Sequence, residues 1–338
     1  MHISLRQLRY FDALARHCHF GRAAEACAIS QPALSMQIKE LEEALGGVLL
    51  DRSARQLALT PFGEELALRV CDILRSVDEL GDFARAFRNR LAGRLRIGLI
   101  PTVAPYLLPK VINNLARSHP ELDIHVRETL TPKLIRELAE GRLDSAVVAL
   151  PVSEPSLTEV ALFSENFLLV RPRDDEGTPV PDSETLSEMR LLLLEEGHCF
   201  RDQALSFCNM RSSPSREALD ANSLSTLVQM VAAGIGVTLI PEMAVAVETR
   251  SASVSVARFS TPQPSRTIGM VWRKTSPLAG HLLRISEVVR LSADALRKQH
   301  LSGINLKPAN CSITEADCSR EAARQAVLSD RRGRAHGI

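Results

Sequence analysis

Two cysteines, Cys199 and Cys208, have a spacing that suggests redox chemistry. Cys208 follows Cys199 by nine positions, and residues 201–207 have the composition of a short helix. On a continuous helix the two Cα atoms would lie roughly 13 Å apart, whereas a disulfide needs them within about 7 Å. If the two thiols pair, the helix must unwind, so oxidation would itself be a conformational switch. The alternative is two buried structural cysteines, which is the more common reason for an arbitrary pair at this spacing.

The other five cysteines show no pattern that indicates chemistry. Cys18, Cys27 and Cys71 fall in predicted helices as small apolar residues, and Cys311 and Cys318 lie near the end of the sequence. None of them belongs to a Cys-x-x-Cys motif or a Cys/His cluster with zinc spacing. An odd number of scattered cysteines is also unlike a disulfide framework. We therefore predict no metal and no cofactor.

The composition is that of a soluble chain with two or three domains, since 45% of its 338 residues are hydrophobic. No apolar stretch typical of a secretory signal follows the first residues, and the most apolar window, 227–247, is broken by polar residues and a proline. We expect no membrane span and a cytoplasmic protein. The net charge of +1 does not by itself indicate nucleic-acid binding.

The first 60 residues have a pattern of two short helices, a turn and a third helix. Ser30 is a predicted N-cap, and Pro32 is tolerated in the first turn of the third helix. Apolar residues recur along one face of that helix, so Ser35 and Lys39 point the other way. The pattern predicts a helix-turn-helix whose third helix enters the DNA major groove, although a plain three-helix bundle fits it equally well.

A two-stranded wing is predicted between residues 48 and 60, and Arg52 and Arg55 lie at its tip. Arginines in such a wing contact phosphate or the minor groove. The predicted DNA-binding residues are Ser30, Gln31, Pro32, Ser35, Gln37, Lys39, Arg52 and Arg55.

A long helix is predicted to begin at Thr60 and Pro61, with apolar residues at alternating spacings of four and three. Such a seam packs against a partner helix, and a dimer would place two DNA-reading heads on a two-fold symmetric site. The predicted dimerisation residues are Leu66, Val70, Ile73, Val77 and Leu80. The alternative is that the seam packs on its own domain.

Strands and helices alternate beyond residue 92, which predicts an α/β fold of two lobes joined by crossover strands. The first predicted strands are 95–100, 123–127 and 144–150, with helices at 106–118 and 132–141. Further strands are predicted near 167–171, 190–194, 237–241, 254–259 and 267–273, before a closing helix at 277–298. Residues 301–338 have little apolar periodicity and are expected to be disordered.

Motifs at residues 8–11, 20–24, 30–35 and 59–63, together with Leu45, Gly46 and Arg52, resemble the LysR family of bacterial transcriptional regulators. This resemblance favours the helix-turn-helix over the plain bundle. It implies a winged helix-turn-helix head at 1–60, a long linker helix for dimerisation at 61–91 and a two-lobed regulatory domain, like a periplasmic binding protein, at 92–300. It also implies double-stranded operator DNA, RNA polymerase and further copies of the chain, as a dimer or tetramer, as partners.

Residues 97–109, 195–203 and 266–269, together with Cys208, resemble the branch of this family that senses hydrogen peroxide. The resemblance implies that Cys199 is the peroxidatic thiol and Cys208 the resolving thiol. The residues implied for the peroxide pocket and for activation of the thiolate are Thr102, Thr131, His198, Arg201, Asp202 and Arg266.

Several interpretations remain open beside this one. Thr102 and Thr131 could instead cap the helices that they precede. In a LysR-type regulator of a small organic-acid effector, Cys199 would be incidental. A thiol peroxidase would use the cysteines to turn over peroxide but would not need the helix-turn-helix. Met36 departs from the residues usual at its position on the third helix, so the operator sequence is not predicted.

Overall fold

The computed structural model describes residues 3–51, 57–87, 92–208, 220–260 and 263–303. The chain divides into a first unit, Met1–Phe163 with Thr267–Ala295, and a second unit, Ser164–Arg266 with Leu296–Ile338. Within the described ranges, no helix is both long enough and apolar enough to cross a membrane. The sequence predicts disorder for residues 301–338; residues 301–303 instead continue the last helix, and those after 303 lie outside the described residues.

Three helices and a small hairpin open the first unit. They are α1 Leu5–His17, α2 Phe20–Ala26, α3 Gln31–Leu45, β1 Leu50–Asp51 and β2 Ala58–Leu59. The hydroxyl of Ser30 accepts a hydrogen bond from the backbone N–H of Ala33, which confirms the predicted N-cap. Gly46 ends α3 with a φ of +69°, a left-handed conformation that glycine adopts without strain.

The buried face of α3 carries Leu34, Ile38 and Leu41, which are fully inaccessible and share one core with Phe11 of α1. The predicted apolar stripe is therefore confirmed. The two strands of the hairpin pair antiparallel, with Leu50 opposite Leu59. The predicted wing tip, including Arg52 and Arg55, lies outside the described residues.

The long helix α4 spans Pro61–Phe87, as predicted, but its apolar residues do not form one free seam. Val70 is 1% exposed in the core of its own head, and Leu66 packs against the same core. Val70 is therefore used within its own head, where α4 packs on α1, and is not accessible to a partner, whereas the assignment of Leu66 to a dimer interface stays a prediction. Ile73 and Leu80 remain 45% and 69% exposed.

The rest of the first unit is an α/β lobe. It contains β3 Gly93–Leu99, α5 Ala104–Ser118, β4 Leu122–Glu128, α6 Thr131–Ala139 and β5 Ser145–Leu150. The beginning of β6 Leu157–Pro172, most of β11 Ser265–Arg273 and most of α11 Ala279–Gly303 also belong to it. The strand order is β11-β5-β3-β4, with β3 parallel to both neighbours and β11 antiparallel to β5. The helix α11 continues to Gly303, beyond its predicted end.

The second unit is built on the remainder of β6. Its elements are α7 Ser183–Glu188, β7 Leu193–Leu194, α8 Cys199–Phe207, β8 Asp220–Ala221, α9 Leu224–Ala232, β9 Thr238–Pro241, α10 Val245–Glu248 and β10 Val254–Arg258. The strands β9 and β10 both pair antiparallel with β6, and β7 pairs parallel with β8.

Two predicted strands of this unit need correction. The strand expected at 190–194 is only Leu193–Leu194, with an isolated bridge from Leu191 to Val237. The strand expected at 167–171 is the end of β6, which begins at Leu157. Polar residues, among them Glu165 and Asn166, interrupt the apolar run, so the pattern predicts only the last part of this strand.

Candidate redox site

The helix α8 lies between the two thiols that the sequence singled out. It spans Cys199–Phe207, so Cys199 is its first residue and Cys208 its C-cap. The predicted helix is therefore confirmed, and a helix of this length holds the two Cα atoms roughly 13 Å apart. Both cysteines are free thiols. A bond between them requires α8 to unwind.

Cys199 is half-buried at the start of α8, where the positive end of the helix dipole favours negative charge. The preceding residue, His198, is buried, and this burial lowers its pKa although Glu195 opposes the shift. Burial therefore favours the neutral imidazole. Of the two roles predicted for His198, this shift favours that of a neutral hydrogen-bond donor over the cationic one.

Cys208 lies in a different environment. It is 2% exposed, and burial raises the pKa of its thiol to about 11. The neighbouring Phe207 packs edge-to-face on Phe259, with ring centroids 5.1 Å apart. The prediction that Cys208 is a neutral thiol in an apolar setting is confirmed.

Arg201 ties α8 to the small parallel pair β7 and β8. Its Nη1 donates to the backbone oxygen of Leu194 and to Oδ1 of Asp220, both at 2.7 Å. These bonds give the guanidinium a structural role, and its predicted role in activating the thiolate stays a prediction. Asp202 is exposed in the first turn of α8. One turn after Cys199, the Oε1 of Gln203 is buried and has no hydrogen-bond partner among the described residues, a feature that the sequence analysis missed.

Arg266 is completely buried in the second unit and forms an ion pair with Glu165. Its Nε and Nη2 lie 2.9 and 2.7 Å from Oε1 of that carboxylate. The guanidinium carbon lies 5.4 Å from the ring centroid of Phe200, the residue after Cys199. The sequence analysis missed Glu165. Its position as an acidic residue in an otherwise apolar strand could have indicated it, because a buried guanidinium requires an anion.

Thr102 and Thr131 lie in the first unit, after the carboxyl ends of the neighbouring parallel strands β3 and β4. Neither caps a helix, because the N-caps of α5 and α6 are Val103 and Leu130 and no side chain bonds there. The capping alternative is therefore wrong. Thr102 is buried, and the hydroxyl of Thr131 is buried with no hydrogen-bond partner in the described part of the chain.

The predicted DNA-binding residues of α3 lie away from its buried stripe. Gln31 and Pro32 are exposed at its start, and Ser35 is half-buried. Gln37 donates to Glu40 at 2.8 Å. Lys39 is exposed and lies 3.7 Å from Glu43, an ion pair that solvent screens.

Both parts of the chain match known families. Residues 5–64 match the bacterial regulatory helix-turn-helix proteins of the lysR family, and residues 88–292 match the LysR substrate binding domain. A Streptomyces viridosporus protein named "Probable hydrogen peroxide-inducible genes activator" is 44% identical over 85% of this chain and 93% of its own length. The DNA-binding transcriptional dual regulator OxyR of Escherichia coli K12 is 40% identical over 86% of this chain and 96% of its own.

Solved structures agree with these matches. A full-length OxyR variant from Pseudomonas aeruginosa, 37% identical, covers 86% of this chain and 96% of its own with a TM-score of 0.68. A Corynebacterium glutamicum OxyR mutant with hydrogen peroxide bound is 33% identical, covers 92% of this chain and 99% of its own, and has a TM-score of 0.63.

Proposed function

This chain belongs to the LysR family of bacterial transcriptional regulators, and we propose that it senses hydrogen peroxide through a disulfide between Cys199 and Cys208. The observation that carries the proposal is the position of the two thiols at opposite ends of one helix, α8. Their bond and this helix are mutually exclusive, so the redox state of the pair determines the conformation of the segment.

The reaction has two steps. The thiolate of Cys199 attacks one oxygen of hydrogen peroxide, the O–O bond breaks, and the departing hydroxide takes up a proton to form water. Cys199 is then a sulfenic acid, and the thiol of Cys208 displaces its oxygen as a second water. Two thiols are oxidised to one disulfide while one peroxide is reduced to two waters. The buried, neutral Cys208 suits the second step, since it waits until α8 opens.

Several side chains are proposed to assist this reaction. Thr102 and Thr131 are proposed to bind peroxide, and the unpartnered hydroxyl of Thr131 supports this assignment. Arg266 is proposed as the cation that favours the thiolate, and His198 as a neutral donor. Asp202 remains a further polar candidate.

We further propose that the head, residues 1–60, reads operator DNA through α3 and the wing residues Arg52 and Arg55. The exposed apolar residues of α4 support a dimer. A tetramer, contact with RNA polymerase and a cytoplasmic location follow by similarity to the family. The chain is not proposed to be an enzyme, since the relatives that it matches are named as a gene activator and a transcriptional regulator.

Mass spectrometry of the peroxide-treated protein tests the proposal. Micromolar peroxide should form the Cys199–Cys208 disulfide in the wild type. Cys208→Ser should stop at the sulfenic acid on Cys199 and give a dimedone adduct, whereas Cys199→Ser should abolish the response. Cys18→Ser, which changes an exposed thiol of the head, should behave as the wild type.

Two outcomes would overturn these assignments. If dimedone labels Cys208 in Cys199→Ser as fast as it labels Cys199 in Cys208→Ser, the two roles are wrong. If neither thiol is labelled, the sensor proposal fails and a regulator of an organic-acid effector becomes the better account. With an added thiol reductant, sustained consumption of many equivalents of peroxide would mark a thiol peroxidase, whereas the sensor should show no such sustained turnover.

A further inference from the structure

The reaction described above makes no use of Glu165, although this carboxylate is one of the most completely buried acidic groups of the described chain. Its side chain is 2% exposed. Oε1 accepts both bonds from Arg266, and Oε2 accepts the backbone N–H of Met243 at 3.3 Å. Both carboxylate oxygens therefore have fixed partners, so Glu165 holds the guanidinium in one orientation.

The guanidinium carbon of Arg266 lies over the ring of Phe200, 5.4 Å from its centroid. Phe200 is itself 2% exposed, and it meets the ring of Phe167 edge-to-face at 4.8 Å. Phe200 is thus held between a cation and an aromatic ring, two contacts with defined geometry. Because Phe200 directly follows Cys199, this arrangement fixes the first turn of α8.

We propose that Glu165 is a positioning residue for the reaction of Cys199 with peroxide, because it holds Arg266 against Phe200 and thereby fixes both the cation and the turn that carries the sulfur. This inference rests on the proposed function. In this proposal, contacts that run from Glu165 through Arg266 and Phe200 determine how Cys199 meets peroxide. All four residues lie in the second unit.

A positioning role and a purely electrostatic role for Glu165 predict different effects on the reactions of Cys199. A carboxylate beside Arg266 partly neutralises the guanidinium, so its charge alone would disfavour a thiolate at Cys199 and slow every reaction of that thiolate. A positioning role has the opposite consequence for peroxide. Losing the carboxylate would misplace the groups that stabilise the departing hydroxide, and misplacement of about 1 Å can cost up to about a hundredfold in rate.

The test compares two electrophiles in a Cys208→Ser background, so that Cys199 reacts in a single step. Peroxide needs aligned partners for its leaving oxygen, whereas iodoacetamide needs only the thiolate. In Glu165→Gln, the rate constant for peroxide, followed by the dimedone adduct, should fall about tenfold or more. The rate constant for alkylation of Cys199 should stay the same or rise, because the guanidinium is no longer neutralised.

Glu137→Gln is the matched control. Glu137 is a buried carboxylate that pairs with Arg127 at 3.4 Å, and it lies in the first unit whereas Glu165 lies in the second. Both variants are compared by thermal unfolding and assayed at a temperature at which they are folded. The control should lose stability without changing the ratio of the two rate constants.

Phe200→Leu keeps an apolar side chain but removes the ring, and it carries the test if Glu165→Gln does not fold. It should lower the peroxide rate selectively, and the double variant should lose less than the product of the two single effects, since both act through one contact. The inference is wrong if both rates rise in Glu165→Gln, or if neither changes. Absence of a dimedone adduct in the Cys208→Ser parent would instead contradict the proposed function.

Discussion

The two thiols at the ends of α8 have different surroundings. Cys199 begins α8 and is half-buried, whereas Cys208 ends it and is 2% exposed. Burial without a compensating charge penalises the thiolate of Cys208, and this is why its pKa rises to about 11. Unequal reactivity therefore follows from packing at the two ends of α8.

Cys208 should be almost inert to iodoacetamide at pH 8 in a Cys199→Ser variant. With a pKa of about 11, only about one thiol in a thousand is ionised at that pH. The rate should rise about tenfold for each pH unit as long as the fold persists. The exposed Cys18 serves as an internal control, and comparable rates for the two thiols at pH 8 would contradict the environment described for Cys208.

The same group links stability to pH. Its ordinary pKa is 9.0, so above about pH 9 the unfolded chain loses a proton that the folded chain keeps. The contribution of Cys208 to the free energy of unfolding is complete below pH 9 and is lost as the pH rises towards 11. Cys208→Ser should flatten this part of the stability profile in denaturant titrations.

At the scale of elements, α3 is delimited by its own capping residues, whereas α8 is held by contacts with residues distant in sequence. Ser30 and Gly46 delimit α3, and its buried stripe leaves Ser35 and Lys39 off the core. In α8, no side chain caps the N-terminus, and the first turn is held by Arg201 and Phe200. The DNA-reading helix is thus stabilised locally, while the redox helix depends on contacts that a switch can release.

Ser35→Ala and Lys39→Ala should each weaken specific operator binding about tenfold without lowering the unfolding temperature, because neither side chain is part of the core. Fluorescence anisotropy with operator and scrambled DNA would measure this, with the exposed Lys274→Ala as the control. Unchanged affinity in both variants would mean that α3 does not bind in the major groove.

Loss of Arg52 and Arg55 should mainly reduce the salt dependence of binding.

At the scale of the whole molecule, α4 divides its apolar residues between two faces. Val70 belongs to the core of the head, whereas Ile73, Leu80 and Phe83 recur at helical spacing and are 45%, 69% and 63% exposed. An exposed apolar row of this kind is typical of a surface that a second chain covers. The head and the proposed dimer interface would therefore use adjacent faces of one helix.

Leu80→Asp should convert the dimer to monomers while the free energy of unfolding of the head is preserved, since Leu80 contacts solvent in the single chain. Val70→Asp should instead unfold the head, because it buries an unpaired charge. Sedimentation velocity and circular dichroism distinguish the two effects. An intact dimer in Leu80→Asp would place the interface elsewhere.

Much of the local structure could be predicted from residue patterns alone. The cap at Ser30, the stripe of α3, the strands of the first lobe and the helix between Cys199 and Cys208 all follow from propensity and periodicity, which neighbouring residues determine. The family, too, could be recognised from short motifs such as residues 30–35 and 195–203.

Only the tertiary structure decided which side chains meet. It placed Glu165 beside Arg266, paired Arg201 of α8 with Asp220, buried His198 so that its pKa is lowered, and packed Val70 in the core of the head. These features depend on residues distant in sequence, 101 positions apart for the pair formed by Glu165 and Arg266. Burial and charge pairing are properties of a site in space, so no periodicity along the chain can specify them.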